Sequence, residues 1–154
     1  RGLDKGWAIQ TPAYIAATYT KATFETETGS DDSESIFSGA KKDNQVPYIP
    51  HLTLSAGLGV IFQKWSANLD ANYVTESFAD GANTGAGPNV NARFGKIDSR
   101  LVMDAALGYQ WSNKVRMFTN FKNITSEEYV VSRQPHGARP GMPFNMMAGL
   151  EFDL

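Results

Sequence analysis

The sequence predicts an all-β fold, an antiparallel transmembrane β-barrel segment of about six strands. Three observations lead there. Six stretches alternate apolar with polar residues at period two, each over about ten residues; aromatic residues stand at their ends; and the connections run long, short, long, short, long. Period two puts alternate side chains on opposite faces of a strand. Transmembrane barrels join that pattern to short turns at one end and longer loops at the other.

The first segment runs from about Ala13 to Phe24, with Tyr14, Ala16, Thr18, Thr20, Ala22 and Phe24 sharing the outer face. The polar stretch Glu25 to Gln45, containing Asp31, Asp32 and Glu34, reads as a long solvated loop. The second segment, about Tyr48 to Phe62, sets Leu52, Leu54, Ala56, Leu58, Val60 and Phe62 against Thr53, Ser55, Gly57 and Gly59. Only Gln63 and Lys64 separate it from the third, where Trp65, Ala67, Leu69, Ala71 and Tyr73 oppose Ser66, Asn68, Asp70 and Asn72. A second long loop, rich in Gly and Asn, spans roughly Ala79 to Asp98. The fourth segment presents Leu101, Met103, Ala105, Leu107, Tyr109 and Trp111 against Arg100, Asp104, Gly108 and Gln110. After Asn113 and Lys114, the fifth places Val115, Met117, Thr119 and Phe121 opposite Arg116, Asn120 and Lys122, with Phe118 breaking the pattern on the polar side. A third long loop covers about Thr125 to Pro143. The sixth segment then turns Phe144, Met146, Ala148, Leu150, Phe152 and Leu154 outward, and Asn145, Glu151 and Asp153 inward.

Length separates a membrane sheet from a soluble one. Leu52 to Phe62 spans ten rises of ~3.3 Å, so ~33 Å, which a ~40° tilt reduces to ~25 Å of height, the usual height of a lipid-facing band. Strands in water-soluble proteins average ~5–6 residues. The opposite face is small and polar (Ser, Asn, Gly, Asp, Thr), whereas a sheet face exposed to bulk water carries more long charged side chains. A soluble β-sandwich or barrel acting as a binder is the alternative that this composition disfavours.

The bulk numbers agree. Of 154 residues, 42% are hydrophobic, and no stretch approaches the ~20 apolar residues that a membrane helix needs. Net charge is −2 without a basic block, so nothing points to nucleic acid. The absence of cysteine removes thiol and disulfide chemistry. His51 and His136 are too few and too far apart to indicate a metal site. Neither a cofactor nor an enzymatic constellation is indicated: Ser/His/Asp order, a phosphate-cradling Gly loop and paired carboxylates are all missing. Arg1 to Gln10 reads as the end of one more strand with its turn at Asp4-Lys5-Gly6, and the start at Arg1 as an internal cut. Single-chain bacterial barrels begin at eight strands, and open edges in lipid leave backbone groups unpaired. The chain is therefore expected to be part of a larger barrel.

Several motifs then carry a resemblance. Phe118 to Tyr129, with Asn123, Ile124 and Tyr129, resembles the Asn-Leu-Phe-Asp-x-x-Tyr signature at the penultimate strand of TonB-dependent outer-membrane receptors. Val131 to Pro143, with Gly137, Arg139, Pro140, Gly141 and Pro143, resembles the Gly-x-Arg-Pro-Gly-x-Pro element before that family's final strand. Phe78 to Thr84 with Gly95-Lys96-Ile97 is similar to a segment in the branch that includes ferric citrate receptors, and Val46 to His51 resembles a Val-Pro-Tyr-x-Pro-Glu lead-in. The chain departs from the pattern at His51 in place of Glu, at Phe144 where Arg is frequent, and at Leu154 in place of a terminal aromatic.

The resemblance implies a 22-stranded barrel of which residues 1–154 form the C-terminal part, with the plug absent from this chain. It implies import of an iron chelate, such as a siderophore or ferric citrate, or of another scarce nutrient. Energy would come from the TonB complex, reached through the absent N-terminal region. The place is the bacterial outer membrane, among its lipid and lipopolysaccharide, with long loops extracellular and the C-terminus periplasmic. A small self-contained outer-membrane barrel with a structural, adhesive or passive-pore role is the alternative. Arg133, His136 and Arg139 are the candidate ligand-binding residues, because guanidinium suits an anionic chelate. Against that stands a structural role for the same motif, in which Arg139-Pro140-Gly141 packs at the rim and sets the turn into the last strand. Polar residues such as Asp70, Asn72, Arg100, Asp104 and Arg116 are expected to bond across strands or to the plug.

Overall fold

The computed structural model describes residues 8–27, 32, 35–85 and 92–153. The readings made for the turn at Asp4-Lys5-Gly6, for Asp31 and Glu34, for residues 86–91 and for Leu154 lie outside them. The strands are β1 (Ile9–Gln10), β2 (Ala13–Tyr19), β3 (Leu52–Phe62), β4 (Trp65–Val74), β5 (Ser77–Phe78), β6 (Lys96–Ile97), β7 (Arg100–Ser112), β8 (Val115–Lys122), β9 (Val130–Ser132), β10 (Arg139–Pro140) and β11 (Asn145–Phe152). One antiparallel sheet runs β1-β3-β4-β7-β8-β11, with β2 also on β3. Sequence neighbours are therefore spatial neighbours. Two-residue turns join β3 to β4 and β7 to β8, while the long connections gather at the opposite end. Among the described residues the sheet stays open, with β2 and β11 each paired on one side only.

Register aligns the apolar residues across the whole sheet. One row runs Ala13, Leu58, Leu69, Ala105, Phe121 and Met146, each directly opposite the next. A second runs Phe62, Trp65, Tyr109, Met117 and Leu150. These side chains cover no core: Leu58, Leu69, Leu107, Met146 and Leu150 are all exposed. Burying such a side chain is worth about 1.5–3 kcal/mol, so a sheet face this apolar needs hydrocarbon against it. Large contiguous apolar patches are rare on soluble monomers.

The first segment differs from expectation in both length and face. It ends as a strand at Tyr19, and β1 continues it beyond Pro12 as one interrupted strand rather than a separate seventh. Its outward residues are Ala13, Ile15, Ala17 and Tyr19, with Ile15 81% exposed, instead of Tyr14, Ala16 and Thr18. The cause is Gly57, which pairs with Tyr14. A Cβ at Gly57 would lie 2.1 Å from the Tyr14 ring, so only glycine lets that ring lie across the polar face. Its hydroxyl then donates to Asp70 Oδ1 at 3.0 Å. Phe118 on the polar side has the same explanation. It sits between Gly108 and Gly149, and a Cβ on Gly149 would approach its ring to 2.5 Å.

The polar face bonds across strands, as expected. Asn72 Nδ2 donates to Ser55 Oγ at 2.7 Å, and Lys122 Nζ lies 2.7 Å from Asp104 Oδ2. Arg116 and Glu151 approach within 3.6 Å. Asp70 and Asp104 stand directly opposite each other. Their like charges are tolerated because Tyr14 serves one carboxylate, while Lys122 and the Asn123 N–H serve the other. Apart from Val74 at the end of β4 and the strand glycines Gly59 and Gly108, the buried residues lie elsewhere. Ala40, Gln45, Ser77, Ala79, Asp80, Ile97 and Asn123 all belong to the long connections or the short strands within them. The stretch Glu25 to Gln45 is thus not wholly a solvated loop, and the second segment begins as a strand only at Leu52.

Which face meets lipid is testable by paired substitutions in the intact protein. Leu69→Arg is expected to destabilise the folded barrel in lipid by about 2–4 kcal/mol. Asn68→Arg, one residue away on the other face, should cost under about 1 kcal/mol. Urea unfolding in bilayers measures both, and equal costs would contradict the assignment of faces.

Candidate functional site

The long-loop end is built around polar side chains that join one loop to another. Tyr48, at φ 61°, precedes β3 and bonds through its N–H to the Phe78 carbonyl at 2.8 Å. Its hydroxyl oxygen accepts the N–H groups of Arg133 at 3.3 Å and Gln134 at 3.1 Å. A phenolic oxygen has the capacity to accept both. The lead-in to β3, the hairpin β5–β6 and the third loop therefore meet at one residue.

Arg133 is committed to the same structure. Its Nε donates to the Lys96 carbonyl at 3.1 Å and its Nη1 to the Ala92 carbonyl at 3.4 Å. Gln134 and Arg93 add a reciprocal pair, Gln134 Nε2 donating to the Arg93 carbonyl at 3.2 Å and Arg93 Nη2 to Gln134 Oε1 at 3.3 Å. Lys96 is ion-paired with Glu76, and that hydrogen-bonded carboxylate, with Asp98 adding a smaller pull, raises the Lys96 pKa above its ordinary value.

Two further side chains set the loops. Asp80 is 2% exposed; its Oδ1 accepts from the Thr84 N–H and hydroxyl at 3.0 and 2.9 Å, and its Oδ2 from the Gly95 N–H at 2.8 Å. A buried carboxylate so satisfied costs little to bury and closes its loop. Asn83, at φ 53°, bonds both backbone groups of Gln45, tying the first loop to the second.

Asn123 does the same for the third. It is 1% exposed, at φ 50°, and its Nδ2 donates to the carbonyls of Glu127 and Met142, both at 2.9 Å. Its Oδ1 accepts the Glu127 N–H at 2.9 Å. Tyr129 lies over Gly141, where a Cβ would come within 2.1 Å of the ring, and the Arg100 guanidinium stands 5.2 Å from the ring centroid. Gly137 takes φ 108° and bonds the Arg133 carbonyl. Ile124 donates its N–H to the Met103 carbonyl at 2.8 Å, continuing the sheet.

The three candidate ligand residues therefore separate. Arg133 spends its guanidinium on loop carbonyls. His136 and Arg139 are exposed, and neither side chain joins a hydrogen bond or ion pair among the described residues. Arg139 and Pro140 form β10 against β9, and Pro143 closes the approach to β11. A cavity of about 750 Å³ opens beneath this loop, lined by Asp98, Glu127, Glu128, Tyr129, Arg133 and Pro140 among others. No group of His, Cys, Asp and Glu among the described residues has the makings of a metal site. Periodicity and motif do not reveal that Tyr48 and Asn83 join loops or that Asp80 closes one; the nearest signal is Asp80 before Gly81 and Asn83 before Thr84, residue types that bond local backbone in turns.

Residues 2–124 match the family model described as TonB dependent receptor-like, beta-barrel. Among solved structures, the chain is similar to the ferric citrate transporter FecA in its unliganded form, at 21% identity and a TM-score of 0.74, covering 92% of this chain and 21% of that one. It is similar to the siderophore receptor PiuA from Acinetobacter baumannii, at 16% identity and a TM-score of 0.71, covering 98% and 20%. It is also similar to the copper transporter OprC, at 18% identity and a TM-score of 0.60, covering 96% and 20%. The chain thus spans about a fifth of the length of each. A search of curated protein sequences returns no match.

The bonding pattern ranks the motif residues by structural weight. Asn123→Ala, which removes the side-chain partner of three backbone groups at Glu127 and Met142, is expected to cost the intact barrel about 1.5–3 kcal/mol. Arg139→Ala should stay within about 0.5 kcal/mol. Urea midpoints in micelles read the difference; a large loss at Arg139 would show that its side chain holds the rim.

Proposed function

Because the chain belongs to the TonB-dependent receptor β-barrel family, we propose that it forms the C-terminal part of the barrel of an outer-membrane importer of iron chelates. The observation that carries the reading is the two-faced sheet. Its apolar rows stay in register across every strand, while its long loops pack together at one end. Residues 1–154 then supply the last strands of a 22-stranded barrel, and the plug and the segment that contacts TonB belong to other parts of the protein. Two of the similar solved structures are a ferric citrate transporter and a siderophore receptor, which favours a ferric chelate as the cargo. The role is transport rather than catalysis, driven by the TonB complex.

The long loops face the medium, and the turns at Gln63-Lys64 and Asn113-Lys114 face the periplasm. In that orientation His136 and Arg139 contact an anionic chelate, while Arg133 holds the loop that presents them. An exposed guanidinium and an imidazole offer donors to carboxylate or catecholate oxygens without breaking a bond in the rim.

Uptake of radiolabelled ferric citrate and of ferric siderophores, measured in cells with and without the intact gene, tests the role directly. Uptake that disappears with the gene or with collapse of the proton gradient supports it, and unaltered iron accumulation would overturn it. The site has its own test in the purified intact receptor. His136→Ala with Arg139→Ala should weaken binding of the imported ferric chelate by about tenfold or more, as expected for a lost charge-assisted hydrogen bond. Unchanged affinity would remove both residues from the ligand site.

A further inference from the structure

Among the described residues the side chains of His136 and Arg139 bond to nothing, so their placement comes from the backbone that carries them. That backbone is set at its start. The Gly137 N–H donates to the Arg133 carbonyl at 3.0 Å, closing a turn that contains His136. Arg139 of β10 lies opposite Ser132 of β9, immediately before the same turn. The two N–H groups that open the turn, from Arg133 at 3.3 Å and Gln134 at 3.1 Å, both donate to the Tyr48 hydroxyl, 85 residues away from Arg133 in the chain. Ser132 Oγ also accepts the Gln134 N–H, at 3.3 Å, but it belongs to the same loop and shapes the turn without placing it.

Tyr48 is itself held from both sides. Its N–H donates to the Phe78 carbonyl at 2.8 Å, and the carbonyl of the next residue, Ile49, accepts Gln45 Nε2. Gln45 is buried and bonded through both backbone groups to Asn83. The Arg133 and Gln134 side chains also reach the second loop, at the Lys96 and Arg93 carbonyls, but through several rotatable bonds. A tyrosine ring has two, and its oxygen meets the backbone of the turn directly.

We propose that Tyr48 is the positioning residue of the chelate site, its hydroxyl fixing the turn 133–137 and thereby the places at which His136 and Arg139 meet an anionic ferric chelate. The role rests on the reading of His136 and Arg139 given above and adds the group that places them. Contacts made from a loop depend on such support, because a displacement of about 1 Å removes much of their effect.

The test uses the purified intact receptor with ferric citrate and a ferric tris-catecholate as probes. Four forms are titrated: the unmodified protein, Tyr48→Phe, His136→Ala with Arg139→Ala, and all three changes together. Tyr48→Phe keeps the ring and removes the acceptor. It is expected to weaken binding about fivefold by itself, and to have no further effect once His136 and Arg139 are gone. Amide exchange in peptides covering residues 133–137, which needs no chelate, should quicken about tenfold in Tyr48→Phe. Unchanged exchange would overturn the clamp. Unchanged affinity in Tyr48→Phe, or an equal loss with and without His136 and Arg139, would overturn the positioning role while leaving those two residues in the site. If removing His136 and Arg139 leaves affinity intact, or if neither probe binds the unmodified receptor, the chelate site itself falls and the role of Tyr48 with it.

Discussion

A peptide group surrounded by hydrocarbon has no water to bond, so each must find its partner in the protein. That constraint organises this chain. From β3 through β8, every long strand has a neighbour on both sides, and the two tight turns keep consecutive strands in register. Once register is held, the period-two pattern does the rest: a slip of one residue would carry every leucine to the polar side. A bulge at Trp111 is tolerated because it falls at the turn end of β7, where its free carbonyl is taken by Lys64. Among the described residues the outer edges of β2 and β11 find no neighbouring strand, and in a membrane such edges call for further strands.

The opposite face obeys a different requirement. Charged and polar side chains that leave bulk water need partners of their own, and here they find them one or two strands away. Tyr14 with Asp70, Ser55 with Asn72, and Lys122 with Asp104 are each bonded across a strand pair or over an intervening glycine. Small residues make this possible. Gly57 and Gly149 leave room for the rings of Tyr14 and Phe118, so aromatic bulk enters the polar side without lifting neighbouring strands apart.

The sequence carried the central strands because their two faces differ so plainly: Leu58, Leu69 and Leu107 on one side, Asn68, Asp70 and Asp104 on the other. The first segment lacked that contrast. Tyr14, Ala16 and Thr18 look as suited to the outside as Ala13, Ile15, Ala17 and Tyr19, and alternation alone does not choose between them. The choice is made by Gly57, more than forty residues along the chain, and periodicity holds no record of a partner so distant. The loops were opaque for the same reason. Tyr48, Arg133 and Lys96 meet only because three separate connections converge, and their chemistry looks unremarkable until they do. The motif resemblance marked these stretches but not their mutual bonding.

That convergence divides labour within the third loop. Asn123, Tyr129, Gly137 and Gly141 hold backbone positions through bonds and close packing that a different residue would break, and Arg133 is tied to carbonyls of the second loop. Side chains so engaged cannot be exchanged to suit a new ligand without loosening the rim. Among the described residues the His136 and Arg139 side chains bond to nothing, so either can change at little cost to the fold. A shared framework with variable exposed positions is what a family sharing one barrel but differing in cargo requires. Apart from Arg139, the residues that make this loop recognisable are, on this account, those least able to set its specificity.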